Sequence, residues 1–199
     1  MKRRSRAEML DRTREQLIAA ARDYFGTRGY AATSMDDLTA SVGLTRGALY
    51  HHFGGKSGLL EAVVRVLDDE LCTQLKAVIR RHDDPLVALA ERSCAYIELT
   101  QAPEFQRILF TDAPAVLPDA VEASTASCIR SMAEILADCQ DRGAIPSAAS
   151  PEALATMLNG ALSDASRWVA AASPAKRNAR LDVAKQSSTT LVAGLRAPS

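Results

Sequence analysis

Three groupings of side chains in this 199-residue chain could do chemistry. Gly54-Gly55-Lys56-Ser57 has the ending of a phosphate-binding loop, and His51-His52 places two imidazoles side by side. Thr45, Arg46, Tyr50 and His51 set hydroxyl, guanidinium and imidazole groups at helical spacing. The first grouping fails on spacing. A nucleotide loop needs glycine five residues before its Gly-Lys pair, and Tyr50 stands there with no strand ahead of it. The histidines fail on direction, because neighbours on a helix point apart, and His82 stands alone among acids, so no metal site is expected. No nucleophile elbow of the GxSxG type occurs, and no residue set makes a case for an enzyme or a cofactor. What remains is the polar row on one side of a short helix.

The elements that must position this row can be read locally. Ser34 is a helix N-cap, with Asp37 favouring the positive helix start, and Met35 and Leu38 are the apolar positions. Ser41-Val42-Gly43-Leu44 is a turn with glycine where a left-handed backbone is needed. Thr45 then caps a second helix that buries Leu44, Ala48 and Leu49. Residues 34–56 therefore read as a helix-turn-helix whose second helix shows a polar recognition face. Leu49 and Phe53 are expected in the core.

Charge supports this reading once it is divided along the chain. The formal net charge is zero, yet residues 1–56 hold ten lysines and arginines against six acids, a net of +4. The remainder holds 14 bases and 18 acids, a net of −4. A basic head suits a phosphate-bearing partner, and the basic segment 1–12 could act as an arm on it or simply fray.

A capping box at Thr13-Arg14-Glu15-Gln16 opens a bracing helix with Leu17, Ile18, Ala21, Tyr24 and Phe25, closed at Gly29. A long helix is expected over 56–81, carrying the apolar stripe from Leu59 to Val78. Pro85 opens the next, a shorter piece follows over 103–111, and Pro114 and Pro118 punctuate a loop. Further helices are expected from Val121 to Arg142, over 151–171 and over 174–195. No strand pattern or internal repeat is found, so the chain reads as all-α with about nine helices. Cys72, Cys94, Cys128 and Cys139 form no CxxC, and with no signal peptide the expectation is free buried thiols in a reducing cytoplasm. No apolar run approaches the roughly 20 residues of a membrane span.

The spacing Phe25…Gly29-Tyr30…Thr33…Val42-Gly43…Leu49-Tyr50…His52-Phe53…Lys56…Leu59-Leu60 resembles the TetR family of bacterial transcription regulators. The resemblance is specific over about the first 60 residues, and beyond them only the helical architecture matches. It implies a three-helix DNA-binding headpiece (1–56) on a helical ligand-binding and dimerisation domain (57–199). Carried over residue by residue, Thr45, Arg46, Gly47, Tyr50 and His51 lie where relatives meet DNA, and Thr33, Ser34 and Lys56 lie where they meet phosphate. Arg46 suits a guanine edge, Tyr50, His51 and Lys56 suit phosphates, and Gly47 lets the backbone approach the groove.

The implied partners are a double-stranded, (pseudo)palindromic operator, a second copy of the chain through its last two helices, and an unidentified small-molecule effector. A repressor released by that effector is the leading expectation. An activator, or a helical ligand-binding scaffold without an operator, would share the same elements. Tyr96, Phe105, Phe110 and Met132 are expected around a cavity between the middle helices, with Asn159 and Asp164 as orienting polar groups. Trp168 reads as core on its helix stripe, with a pocket wall as the alternative.

Overall fold

The computed structural model describes residues 6–197. Among these residues every regular element is helical: α1 (Arg6–Arg28), α2 (Met35–Ser41), α3 (Arg46–Phe53), α4 (Lys56–Ile79), α5 (Pro85–Leu99), a π-helix (Phe105–Asp112), α6 (Ala113–Val116), α7 (Pro118–Asp141), α8 (Pro151–Ala170) and α9 (Pro174–Ala193). The all-α expectation holds. No helix is long and apolar enough to cross a membrane.

The chain packs as two compact units. The first takes residues up to 68 together with 103–121, and the second takes 69–102 with 122 onward. Packing thus groups the start of α4 and the π-helical segment with the headpiece, a different division from the linear one at 56/57.

In the first unit α1 packs on α2, α3 and the π-helix. Leu17, Ala21 and Phe25 of α1, Leu38 of α2, Leu49 of α3 and Leu59, Leu60 and Val63 of α4 are fully buried. A seven-residue helix such as α2 has no stability of its own in water. Burying one leucine contributes about 1.5–3 kcal/mol, so packing rather than propensity keeps it formed. In the second unit α5, α8 and α9 pack on one another around Leu89, Ile97, Met132, Leu136, Leu162 and Val169.

Four local expectations are corrected. α1 begins at Arg6, so Thr13 lies inside it and turns its Oγ1 back to the Met9 carbonyl at 2.9 Å instead of capping. The run Arg6–Asp11 contains no breaker, and the helix extends through it. The basic arm at residues 1–5 lies outside the described residues. The expected loop at 114–118 is helical, because Pro114 sits in the first turn of α6 and Pro118 is the first residue of α7, positions where proline has no amide bond to lose. Cys72 is exposed, while Cys94 and Cys139 are buried and Cys128 is half-buried. Trp168 is 45% exposed rather than core, with Arg180 lying 4.8 Å above its ring.

Candidate nucleic-acid interface

The recognition face is built by two caps and two glycines. Ser34 Oγ accepts from the Asp37 amide at 3.2 Å and Thr45 Oγ1 accepts from the Ala48 amide at 3.2 Å, fixing where α2 and α3 begin. Between them Gly43 takes φ +67°, and the Leu44 amide donates back to the Thr39 carbonyl at 2.9 Å, closing the turn. At the far end Gly58 is required for a different reason: a Cβ there would stand 2.0 Å from the Phe53 carbonyl oxygen. Only glycine lets α4 leave α3 at this separation. Leu49 is fully buried, as expected, while Phe53 is half-buried with Arg14 stacked 5.7 Å from its ring.

Thr45, Arg46, Gly47, Tyr50 and His51 are all exposed. Arg46 rests against its neighbours rather than being locked by them. Its Nη1 is 3.4 Å from Asp36 Oδ2, its Nη2 is 3.4 Å from Tyr50 Oη, and its guanidinium lies 5.5 Å from the Tyr50 ring. The Tyr50 hydroxyl and then the charge of Asp36 push the Arg46 pKa further up, so the side chain is cationic at every relevant pH. Exposed ion pairs of this length contribute little, and the guanidinium is free to swing outward. Asp36 also sets a negative charge beside the face, which would repel a phosphate brought in the wrong register.

Gly47 differs from Gly43 and Gly58. A Cβ there would meet only Thr45 Oγ1 at an ordinary 3.7 Å, so nothing inside the protein demands glycine. Its helical cost of about 1 kcal/mol relative to alanine has no internal return.

Other expected contacts are placed differently. Thr33 is buried at 3% exposure and donates its hydroxyl to the Gly29 carbonyl at 2.8 Å, and its amide donates to the Tyr30 carbonyl at 3.2 Å. Both donors serve the α1–α2 connection, so Thr33 is withdrawn from the candidate surface. Ser34 is half-buried with its hydroxyl serving as the cap. Lys56 sits 4.6 Å above the Tyr30 ring and donates to the Ala31 carbonyl at 3.3 Å, and desolvation lowers its pKa. It braces the headpiece even as it remains partly open to solvent.

The π-helical segment grips α1 through contacts that local sequence reading misses. Arg22 donates to both oxygens of Glu104 at 2.6 and 3.0 Å, the Tyr30 amide donates to Asp112 Oδ2 at 2.8 Å, and Arg107 donates to the Arg28 carbonyl at 3.2 Å. These partners are 79 to 82 residues apart in sequence, and no local pattern signals them.

The expected effector residues are divided between the two units. Phe105 (buried) and Phe110 (half-buried) belong to the first unit, whereas Tyr96, Met132, Asn159, Asp164 and Trp168 belong to the second. Met132 is wholly buried in core, and Asp164 is exposed and ion-paired to Arg167. Tyr96 is half-buried, with its hydroxyl 3.4 Å from Ser163 Oγ. Trp168 instead lines an open apolar groove of about 210 Å³ with Ile97, Leu158, Leu162, Val183 and Leu191, on α5, α8 and α9.

Residues 17–63 match the family model described as bacterial regulatory proteins, tetR family, and residues 86–195 match the tetracyclin repressor-like C-terminal domain. The chain belongs to the TetR family. A solved TetR-family transcriptional regulator from Pectobacterium atrosepticum is 42% identical, aligns over 98% of this chain and 99% of its own, and superposes with a TM-score of 0.83. The HTH-type transcriptional repressor BepR of Brucella suis is 32% identical over 112 residues, 55% of this chain and 52% of that protein. The repressor KstR2 of Mycolicibacterium smegmatis is 30% identical over 106 residues, 53% of this chain and 52% of that protein. The chain thus spans about half the length of the curated relatives it matches. On this TetR-family chain the first match contains the whole recognition face and ends within α4, and the second begins one residue into α5.

Proposed function

We propose that this chain is a DNA-binding transcriptional repressor that places α3 in the major groove of its operator. The observation that carries this reading is the row Thr45, Arg46, Gly47, Tyr50 and His51: five exposed positions from the cap of α3 through its second turn, on a helix whose Leu49 is buried. Arg46 reads a guanine edge, Tyr50 and His51 take phosphates, and Gly47 admits the backbone. The amide end of α2 at Ser34 and the ammonium of Lys56 supply backbone contacts beside that row. Residues 1–56 act as the DNA-binding part and 57–199 as the effector and dimerisation part.

The chain acts as a homodimer. Met157 and Trp168 of α8 and Val183 and Leu191 of α9 are between 45% and 71% exposed, an apolar area that a second copy of the same helices would cover. A two-fold dimer presents two α3 helices and so reads a (pseudo)palindrome in cytoplasmic DNA. A small molecule bound in the second part releases the operator because it prefers the non-binding arrangement.

Gel shifts on DNA flanking the chain's own gene test the class. Retardation of one fragment that survives competitor DNA, with an affinity that falls steeply with salt, is the expected result. Failure to retard any promoter fragment at low salt would remove the repressor reading and leave a helical ligand-binding protein.

A further inference from the structure

The second unit carries a polar line inside its apolar core. α5 and its C-cap set Arg92, Tyr96 and Thr100 at i, i+4 and i+8, on one side of the helix. Two rungs of this line are closed. Thr100 Oγ1 and Ser166 Oγ are 2.7 Å apart, and Tyr96 Oη and Ser163 Oγ are 3.4 Å apart. The third is not. Arg92 is 3% exposed, its Nη2 donates to the Cys128 sulfur at 3.4 Å, and its buried Nη1 has no partner. A thiol is a weak acceptor and carries no countercharge, so the guanidinium lies in the core without an anion.

Buried charges in folded proteins are paired, since an unpaired one keeps its full desolvation cost. Arg177 in the same unit also has a buried Nε without a partner, but it is only half-buried, and its Nη2 caps the end of α8 through the Ala170 and Ala172 carbonyls. Arg92 caps nothing. Burial also raises the Tyr96 pKa, keeping its phenol protonated and able to donate. Tyr96 and Cys128 pack against the apolar cluster that contains Met132 and Leu89.

We propose that Arg92 anchors an effector site for a small organic carboxylate, with the one O–H that the Tyr96–Ser163 pair leaves over as a neighbouring donor and the apolar cluster receiving the ligand's body. The fork of a guanidinium donates to both oxygens of a carboxylate, which closes the open rung. This inference rests on the reading of the second part as effector-binding, and it names the class of molecule.

The test uses the full chain and defined probes: benzoate and octanoate, their neutral amides benzamide and octanamide, and acetate as a carboxylate with no body. Melting temperature and titration calorimetry are read on the wild type, Arg92→Met and Arg92→Lys. In the expected outcome at least one of the two larger carboxylates raises the wild-type melting temperature while its amide and acetate do not. Arg92→Met then melts at or above the ligand-free wild type, because a costly charge has gone. It also loses roughly 30-fold or more in affinity, with Arg92→Lys between the two. Should Arg92→Met fail to fold or melt well below wild type, Arg92 is a structural residue and the assignment is overturned. Equal response to acid and amide, equal response to acetate, or no wild-type response to either larger carboxylate overturns it as well. The gel shift separates the two readings. A chain that retards its operator but ignores carboxylates keeps the repressor reading and loses this site. A chain that binds a carboxylate through Arg92 but no DNA keeps the site and loses the repressor.

Discussion

The two arginines Arg46 and Arg92 stand in opposite settings, and the contrast separates the two jobs of the chain. Arg46 lies on the outside of α3, 55% exposed at its side chain, resting on Tyr50 and Asp36 over distances near 3.4 Å. Water completes its bonding, so it costs the fold little and is available to a partner as large as a duplex. Arg92 lies inside the second unit at 3% exposure, where its Nη1 makes no hydrogen bond to the protein. A surface donor waits for a macromolecule at small cost, whereas a buried one carries a desolvation cost that the proposed carboxylate would offset. The chain's net charge of zero conceals both.

The comparison can be broken or sharpened by substitution. The largest effect is expected from Leu191→Glu, at a position that is 57% exposed on α9. It puts a charge into the proposed apolar dimer face and should cost about 2 kcal/mol or more of dimer stability, read as dissociation by sedimentation. A chain that stays dimeric after this change has its interface elsewhere. Next comes Gly58→Ala, whose Cβ overlaps the Phe53 carbonyl at 2.0 Å. It should destabilise the headpiece by about 1–3 kcal/mol in a denaturant melt and weaken DNA binding with it.

Gly47→Ala is more diagnostic. With only Thr45 Oγ1 at an ordinary 3.7 Å from the added Cβ, alanine should stabilise the fold by about 0.5–1 kcal/mol. If the backbone of α3 approaches the groove, the same change weakens operator binding, so stability and affinity move in opposite directions. Movement in the same direction would count against Gly47 as a point of approach.

The smallest effect concerns Cys139, whose thiol burial pushes up to about 11. The unfolded chain ionises near the ordinary thiol value of about 8.5, and the folded one does not until higher pH. The contribution of Cys139 is therefore fully present below the unfolded value and is lost as pH rises from there through about 11. Cys139→Ala should flatten that alkaline limb of the stability curve, and alkylation of the native protein near neutral pH should label Cys72 first.

What could be read from the chain alone follows the range of the forces involved. The helix-turn-helix was legible because Ser34, Gly43 and Thr45 act on backbone within a few residues of themselves. The end of α1 and the start of α8 were legible for the same reason. The start of α1 was not, since Thr13 fits a cap as readily as a mid-helix position and nothing local decides between them. The helical run through Pro114 and Pro118 was hidden because proline marks a helix start as well as a loop. Trp168 misled because α8 is apolar on two sides: Leu158, Leu162 and Val169 face the core while Met157 and Trp168 face outward. Thr33 fitted a surface role until its hydroxyl was seen on Gly29. Arg92 gave no local signal, because one arginine in an apolar helix usually marks the solvent side. Which residue faces α7 and α8 is decided by tertiary packing, and the proposed effector site lies at that level.

Operator affinity of Arg46→Ala against wild type, measured by fluorescence anisotropy on the operator and on a scrambled duplex, tests the central claim most directly. A guanine-reading Arg46 predicts a loss of about 1–3 kcal/mol on the operator, a much smaller loss on the scrambled duplex, and relaxed base preference. Equal losses on both duplexes would make Arg46 a phosphate contact, and unchanged affinity and selectivity would contradict the assignment of α3 as the reading helix.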